Sequence, residues 1–485
     1  MVTKIKASFV IGYEEGEHII IRDGEVVYQD DTIIYVGKHY EGTVDRIEDA
    51  GNAVLMPGFI DLNALGDIDH DILHTEVYQK DRNSLNPSEE YYDHGTHEVM
   101  SPEEEAFKSL FAYVQLIMNG VTTAMPITST YYKKWADTYE EEEAGVHHAG
   151  RLGLRLYTSP AYQCGMNVVR KDGTMTVRYQ EEEGLKALER AVSFIRKYDG
   201  AYDGLIRGAL LPERIETQTE ESLLRTRDYA KELGCPIKLH AAQGGFEYRF
   251  IKEKTGLSPI EYLDSIHFLD QNVGIPHCYI VKGSRWVADE GDELEILRRT
   301  GTTAIYCPVI IGRSGHYLDS FAGYREKGIN VAVGTDTFPP DFFQNIRTAS
   351  KFSRMVNGDA KGSTYGDVYS AVTLGGAKYL EREDLGRLCK GAKADMIAVD
   401  LDGFHMGAVD DPIRTIFTCG SGTDVKLSVI NGRTVMKDRK IEGIDLEKLK
   451  ADGQKYYDKM RLGYLERDYR HLPEAELFRP SFRSI

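Results

Sequence analysis

Eight short apolar runs rich in Val, Ile, Leu and Ala recur through the middle of the chain, and helix-like stretches separate most of them. The runs cover 54–61, 121–126, 153–158, 204–211, 236–242, 274–281, 302–308 and 330–336. Helical patterns occupy 103–118, 181–198, 219–233, 290–299 and 342–356. The first run, VLMPGFI, lacks the alternation of a half-exposed strand, so it predicts a strand buried on both faces. Buried parallel strands joined by right-handed helical crossovers close naturally into a (β/α)8 TIM barrel. Chemistry in such a barrel collects just past the carboxyl ends of the strands. Past the end of the first run stand Asn63, Leu65, Asp67, Asp69, His70 and His74.

The two ends of the chain read differently. Residues 4–52 alternate β-like runs with turns, and Asp23-Gly24 is a hairpin signal between an Ile-rich and a Val-rich segment. ADMIAVDLDG and VKLSVINGRTVMKDRKI read the same way, with Asn431-Gly432 as the turn. The two ends are expected to pair as a small β-sandwich domain, residues 1–55 with 386–443, around a barrel over 56–385. Residues 444–485 are charged and Tyr-rich with a helical start, and read as a tail with a packing or oligomer role. Between the first and second runs, 76–100 makes a long connection of the kind that serves as a lid or substrate-contact loop, or packs on its own tyrosines.

Length and charge bound the function. A chain of 485 residues holds a barrel plus a smaller domain. A net charge of −18 argues against nucleic acid or an anionic membrane as partner. No run approaches the length of a membrane span and no signal-peptide pattern opens the chain, so a cytoplasmic protein is expected. The six cysteines are scattered without a CxxC pair, as suits buried thiols in a reducing compartment.

PGFID at 57–61, NGVTT at 119–123, TLGGAKYL at 373–380 and GAKADMIAVD at 391–400 together resemble the amidohydrolase superfamily, in particular its deaminase and chlorohydrolase-like branch. The resemblance runs to about residue 440. It implies a hydrolase acting on a carbon–nitrogen bond of a small polar, cyclic or heteroaromatic compound, and by analogy a dimer. It also implies a divalent metal, zinc first among the candidates, with His240, His277 and Asp336 at the matching strand ends as ligands.

In the resemblance Asp336 is also the general base, and His277 polarises the substrate. The family's first-strand His-x-His falls on Asn63 and Leu65, and its proton-shuttling glutamate falls on Gln243. An amide orients water or substrate but carries no proton at neutral pH.

Three arrangements stay open at this point. His277 can serve as a third metal ligand. The missing ligands can have moved to GDIDHDILH, which offers Asp67, Asp69, His70, Asp71 and His74. Or the site can work without metal, with Asp336 as base. Asn63, His70 and Arg313 are candidate substrate contacts, and CPVIIGRSGHYLDS adds Cys307 and His316 near the seventh strand end. Rival functions are an isomerase or lyase on the same barrel, and a relative that binds a ligand without turning it over.

Overall fold

The computed structural model describes residues 1–68, 71–75, 83, 85–128, 130 and 132–483. Each of the eight apolar runs supplies a parallel barrel strand. The first four are Phe59–Leu65, Val121–Ile127, Arg155–Thr158 and Ile206–Gly208, and the last four are Ile237–Lys238, Val273–Pro276, Thr303–Tyr306 and Val331–Val333. They form two hydrogen-bonded sets of four. A parallel bridge between Leu210 and Ile237 joins the sets on one side. On the other side the eighth strand closes onto the first through side-chain and backbone bonds to Asp61 and Asn63.

The first run is two strands. Ala53–Pro57 lies in the terminal sheet, between Val2–Glu14 and Met396–Asp400, and only from Phe59 does the chain enter the barrel. The reason is that 53–57 and 59–65 are each fully buried, one under the sheet and one inside the barrel, so hydropathy shows no break between them. The barrel strand also runs on to Leu65, which places Asn63 and Leu65 within the strand rather than beyond it.

The terminal strands form one hydrogen-bonded sheet of eight. Asn431-Gly432 makes the expected two-residue turn, with Ile430 paired to Arg433 and both turn residues at positive φ. A side chain at 432 would come within 1.7 Å of the Asp30 carbonyl oxygen, so only glycine fits. Asp23-Gly24 is not a turn. It sits inside the long strand Glu17–Gln29, opposite Ala7, and the chain reverses instead at Glu15-Gly16.

Four of the five expected helices appear within a residue or two of their patterns; the fourth in chain order, expected from 290, begins at Glu293. A helix at Tyr139–Leu152 escapes the sequence because its inward face mixes Glu141, Glu142, Gly145 and Gly150 with a stripe of only Val146, Ala149 and Leu152. The tail forms the helix Leu446–Arg467, whose Met460 and Tyr464 pack with Ile68, Leu85, Met100 and Tyr132. Its last residue, the buried Arg467, donates to the carbonyls of Tyr132 and Lys133. No described helix is long and apolar enough to cross a membrane.

Sheet and barrel are locked by one buried ion pair. Arg155 of the third strand reaches Asp395 with Nε at 3.0 Å and Nη2 at 3.1 Å, and Asp395 also accepts from the Asn431 backbone at 2.7 Å. Bidentate geometry with an added donor is what offsets the desolvation of two buried charges. Arg155→Ala leaves Asp395 buried and unpaired, and is expected to cost about 3–5 kcal/mol in denaturant unfolding. Lys437→Ala removes only an exposed partner of Glu48 and is expected to cost less than about 1 kcal/mol.

Candidate active site

His240, His277 and Asp336 end up at the ends of strands five, six and eight, on the floor of a cavity of ≈ 1180 Å3 that Leu65 and Gln243 also line. The imidazole rings stand 5.7 Å apart, centre to centre. His277 Nε2 lies 3.4 Å from Asp336 Oδ2. Ala242, His277, Cys278 and Asp336 all take positive φ, with values from 46° to 63°. Such backbone costs about 1–3 kcal/mol per residue and gathers at functional strand ends.

The tautomer of His240 follows from its partner. Nδ1 is 2.9 Å from the Glu213 carbonyl oxygen, which can only accept, so Nδ1 carries the hydrogen and Nε2 presents a lone pair. Burial, helped by Arg214, holds His240 well below the ordinary imidazole range, and burial pushes His277 down to about 3. Both rings are therefore neutral at neutral pH. His277 Nδ1 is buried with no hydrogen-bond partner.

Asp336 is aimed by the barrel seam. Asp61 accepts from Thr335 N at 3.0 Å and Thr335 Oγ at 2.5 Å, and the Asp336 N–H donates to the Asn63 carbonyl at 2.8 Å. Gly334 allows this approach, because a Cβ there would lie 2.6 Å from Asn63 Cβ and 2.9 Å from its nitrogen.

Other expected site residues are placed elsewhere. Asn63 does not line the cavity; its amide nitrogen is 3.7 Å from Cys307 Sγ and its Oδ1 is buried without a partner. Arg313 ends a short helix and donates to the Phe338 carbonyl at 3.2 Å, so it is a loop contact and not a cavity residue. His316 does line the cavity. Of the acidic first loop, Asp67 is turned behind the barrel wall, accepting from Tyr132 Oη at 2.6 Å with Lys108 at 3.7 Å. Asp69 and His70 lie outside the described residues, as do the side chains of Asp71 and His74.

Sequence reasoning passed over four buried ionisable groups. Lys238 lies two residues before His240 on the same strand and points to the same interior; its ammonium donates to the carbonyls of Met125 and Pro126 at 2.9 and 3.1 Å. Burial pushes it down to about 7 against the pull of Asp61 and Asp336. Glu213 and Glu216 follow the fourth strand and line the cavity. Glu247 accepts from the backbone N–H groups of Ala242 at 2.6 Å and Gln243 at 3.0 Å, and so shapes the turn that carries Gln243. The signal for Lys238 was present: a charge inside an apolar strand, in phase with His240.

Among the described residues these donors do not make a zinc centre. Such a centre takes about three imidazole or carboxylate ligands with one open position. Here Leu65 is apolar, Asn63 is turned to Cys307, and the His277 ring nitrogen faces Asp336. Among the described residues no three His, Cys, Asp or Glu converge as a metal site would require.

A barrel with imidazoles and a carboxylate at the ends of strands five, six and eight, facing one cavity, is the frame of an enzyme site, and its similarity to deaminases makes it a hydrolase of the class acting on carbon–nitrogen bonds other than peptide bonds. The chain belongs to the amidohydrolase family, whose family model matches residues 54–435.

A 5'-deoxyadenosine deaminase of Methanosarcina barkeri is 27% identical over 448 residues, covering 91% of this chain and 94% of that protein. A 5-methylthioadenosine/S-adenosylhomocysteine deaminase of Haloarcula marismortui is 30% identical over 287 residues, 58% of this chain and 64% of that protein. Two solved structures share the fold. An adenosine deaminase from Xanthomonas campestris with bound zinc has a TM-score of 0.74 at 17% identity, covering 95% of this chain and 98% of its own. An atrazine chlorohydrolase from Arthrobacter aurescens complexed with zinc has a TM-score of 0.74 at 18% identity, covering 94% of this chain and 100% of its own.

The wall behind Asp67 yields a pH prediction. Lys108 and Lys133 are buried among Asp67, Glu105, Asp137 and Glu141, with Glu142 beside them. Burial, then Asp137, pushes Glu142 up to about 8, and Thr158 donates to it. A folded pKa above the unfolded one means stability that is full below about 4.5 and is lost as pH rises through 8. Glu142→Gln mimics the protonated acid. Its melting temperature is expected to match the wild type near pH 5 and to exceed it at pH 8.5.

Proposed function

We propose that this cavity deaminates a small amino-substituted heteroaromatic compound of nucleoside type, with Asp336 as the base. The observation that carries the reading is the convergence of His240, His277 and Asp336 under the cavity, while both rings stay neutral. Burying three polar groups without a task costs stability. The named activities of the relatives, on 5'-deoxyadenosine and on methylthioadenosine or S-adenosylhomocysteine, supply the substrate type.

In this reading Asp336 takes a proton from a water molecule as its oxygen attacks the carbon bearing the amino group. The His240 Nε2 lone pair accepts the water's other hydrogen and keeps the oxygen pointed at that carbon. Neutral His277 steadies the Asp336 carboxylate through Nε2. Gln243, whose Oε1 is buried without a partner, orients the amino group but transfers nothing. Asp336 returns its proton to the leaving nitrogen. Loss of ammonia leaves the hydroxy tautomer, and the hydrogen that His240 held passes from the oxygen to the neighbouring ring nitrogen, so water and amine become carbonyl and ammonia with no net proton change. Zinc, which the two solved neighbours carry, is assigned no step, because the described donors do not fit it.

Ammonia release from 5'-deoxyadenosine, 5'-methylthioadenosine and S-adenosylhomocysteine tests the reading. Asp336→Asn is expected to fold normally and to lose about 10²–10⁴ in kcat. A variant that keeps the wild-type rate contradicts the role of Asp336. A wild type that binds these compounds without releasing ammonia would instead be the ligand-binding relative.

A further inference from the structure

One wall of the cavity is built by elements that the mechanism above does not use. The hairpin Gly165–Val169 with Met175–Tyr179 follows the third barrel strand, and the short helix Ile215–Thr217 follows the fourth. They are fastened together: Cys164 N donates to Thr217 O at 2.9 Å, and Tyr179 Oη donates to the Glu216 carbonyl at 2.7 Å. Across this joint Asn167 Nδ2 donates to Glu216 Oε1 at 2.9 Å. Both residues line the cavity, and Glu216 is only 3% exposed.

That bond fixes the amide. A carboxylate offers acceptors only, so the nitrogen of Asn167 must face Glu216 and its Oδ1 must face away. Asn167 Oδ1 is buried and has no hydrogen-bond partner. A buried acceptor left unmade is costly, and in a ligand cavity it marks the place of a missing donor. An amide oxygen and a carboxylate therefore stand side by side on this wall.

We infer that Asn167 and Glu216 form the subsite that grips a vicinal pair of hydroxyl groups on the substrate. The assignment rests on the deaminase reading above and names what recognises the sugar-like part. Each hydroxyl donates once, one to Asn167 Oδ1 and one to the Glu216 carboxylate. A neutral diol suits the wall better than an ammonium group. Arg170, Arg214 and Arg249 line the same cavity, so added positive charge would meet three guanidinium groups there.

The test is calorimetric titration of the full chain, carrying Asp336→Asn throughout so that no ligand is turned over, with adenosine, 2',3'-dideoxyadenosine and 3'-amino-3'-deoxyadenosine. It is run with positions 167 and 216 as in the wild type, and with Asn167→Ala and Glu216→Gln. The wild type is expected to bind adenosine at least about tenfold more tightly than the dideoxy compound, since a site built for hydroxyls rejects the analogue lacking them. Both variants should lose that preference for adenosine while keeping their affinity for the dideoxy compound. The two-ligand comparison in the wild type stands even where a variant fails to fold.

Equal wild-type affinity for adenosine and the dideoxy compound overturns the diol subsite and leaves the deaminase reading in place. Equal losses for both ligands in the variants do the same, and tighter binding of the amino compound overturns it in favour of a cation site. Binding of none of the three at millimolar concentration overturns both readings together.

Discussion

The seam between the first and eighth barrel strands governs what this site can be. Asp61 is completely buried, and its carboxylate gathers three donors: Thr335 N, Thr335 Oγ and Asn63 N. Those bonds oppose the burial that pushes its carboxyl up to about 6. Thr335 is thereby held against the first strand, and Asp336 follows it, turned out of the strand at a φ of 46°. Gly334 lets the two backbones approach. Remove that clamp and the barrel has an open edge where Asp336 stands.

Much of this architecture was legible in the sequence because barrel strands are short apolar runs separated by helix-period stretches. What was not legible lay where burial and hydropathy part company. Ala53–Pro57 and Phe59–Leu65 read as one strand because both are buried, though in different sheets. The helix Tyr139–Leu152 was silent because its short apolar stripe is interrupted by acids buried against Lys108 and Lys133. Asp23-Gly24 has turn chemistry, yet the register of the strand around it makes it an irregularity and not a reversal.

The site divides along the same line. That His240, His277 and Asp336 meet was legible because each ends an apolar strand, and strand ends meet in a barrel. Asn63 and Arg313 satisfied the same chemical expectations but are drawn to local partners, Cys307 and the Phe338 carbonyl. The pairing of Asn167 with Glu216 could not be read from the sequence, because it is one hydrogen bond between elements nearly fifty residues apart. The amidohydrolase frame is therefore kept, while the arm that would hold metal from the first strand is replaced by an apolar side chain and an amide.

That replacement is the centre of the account, and metal analysis addresses it most directly. The protein as purified would be assayed for bound transition metals, and turnover of 5'-deoxyadenosine followed before and after dialysis against a strong chelator. With the described donors as the whole set, the expected result is far less than one equivalent of any metal and an unchanged rate after chelation. One equivalent of zinc whose removal abolishes turnover, and whose return restores it, would contradict it.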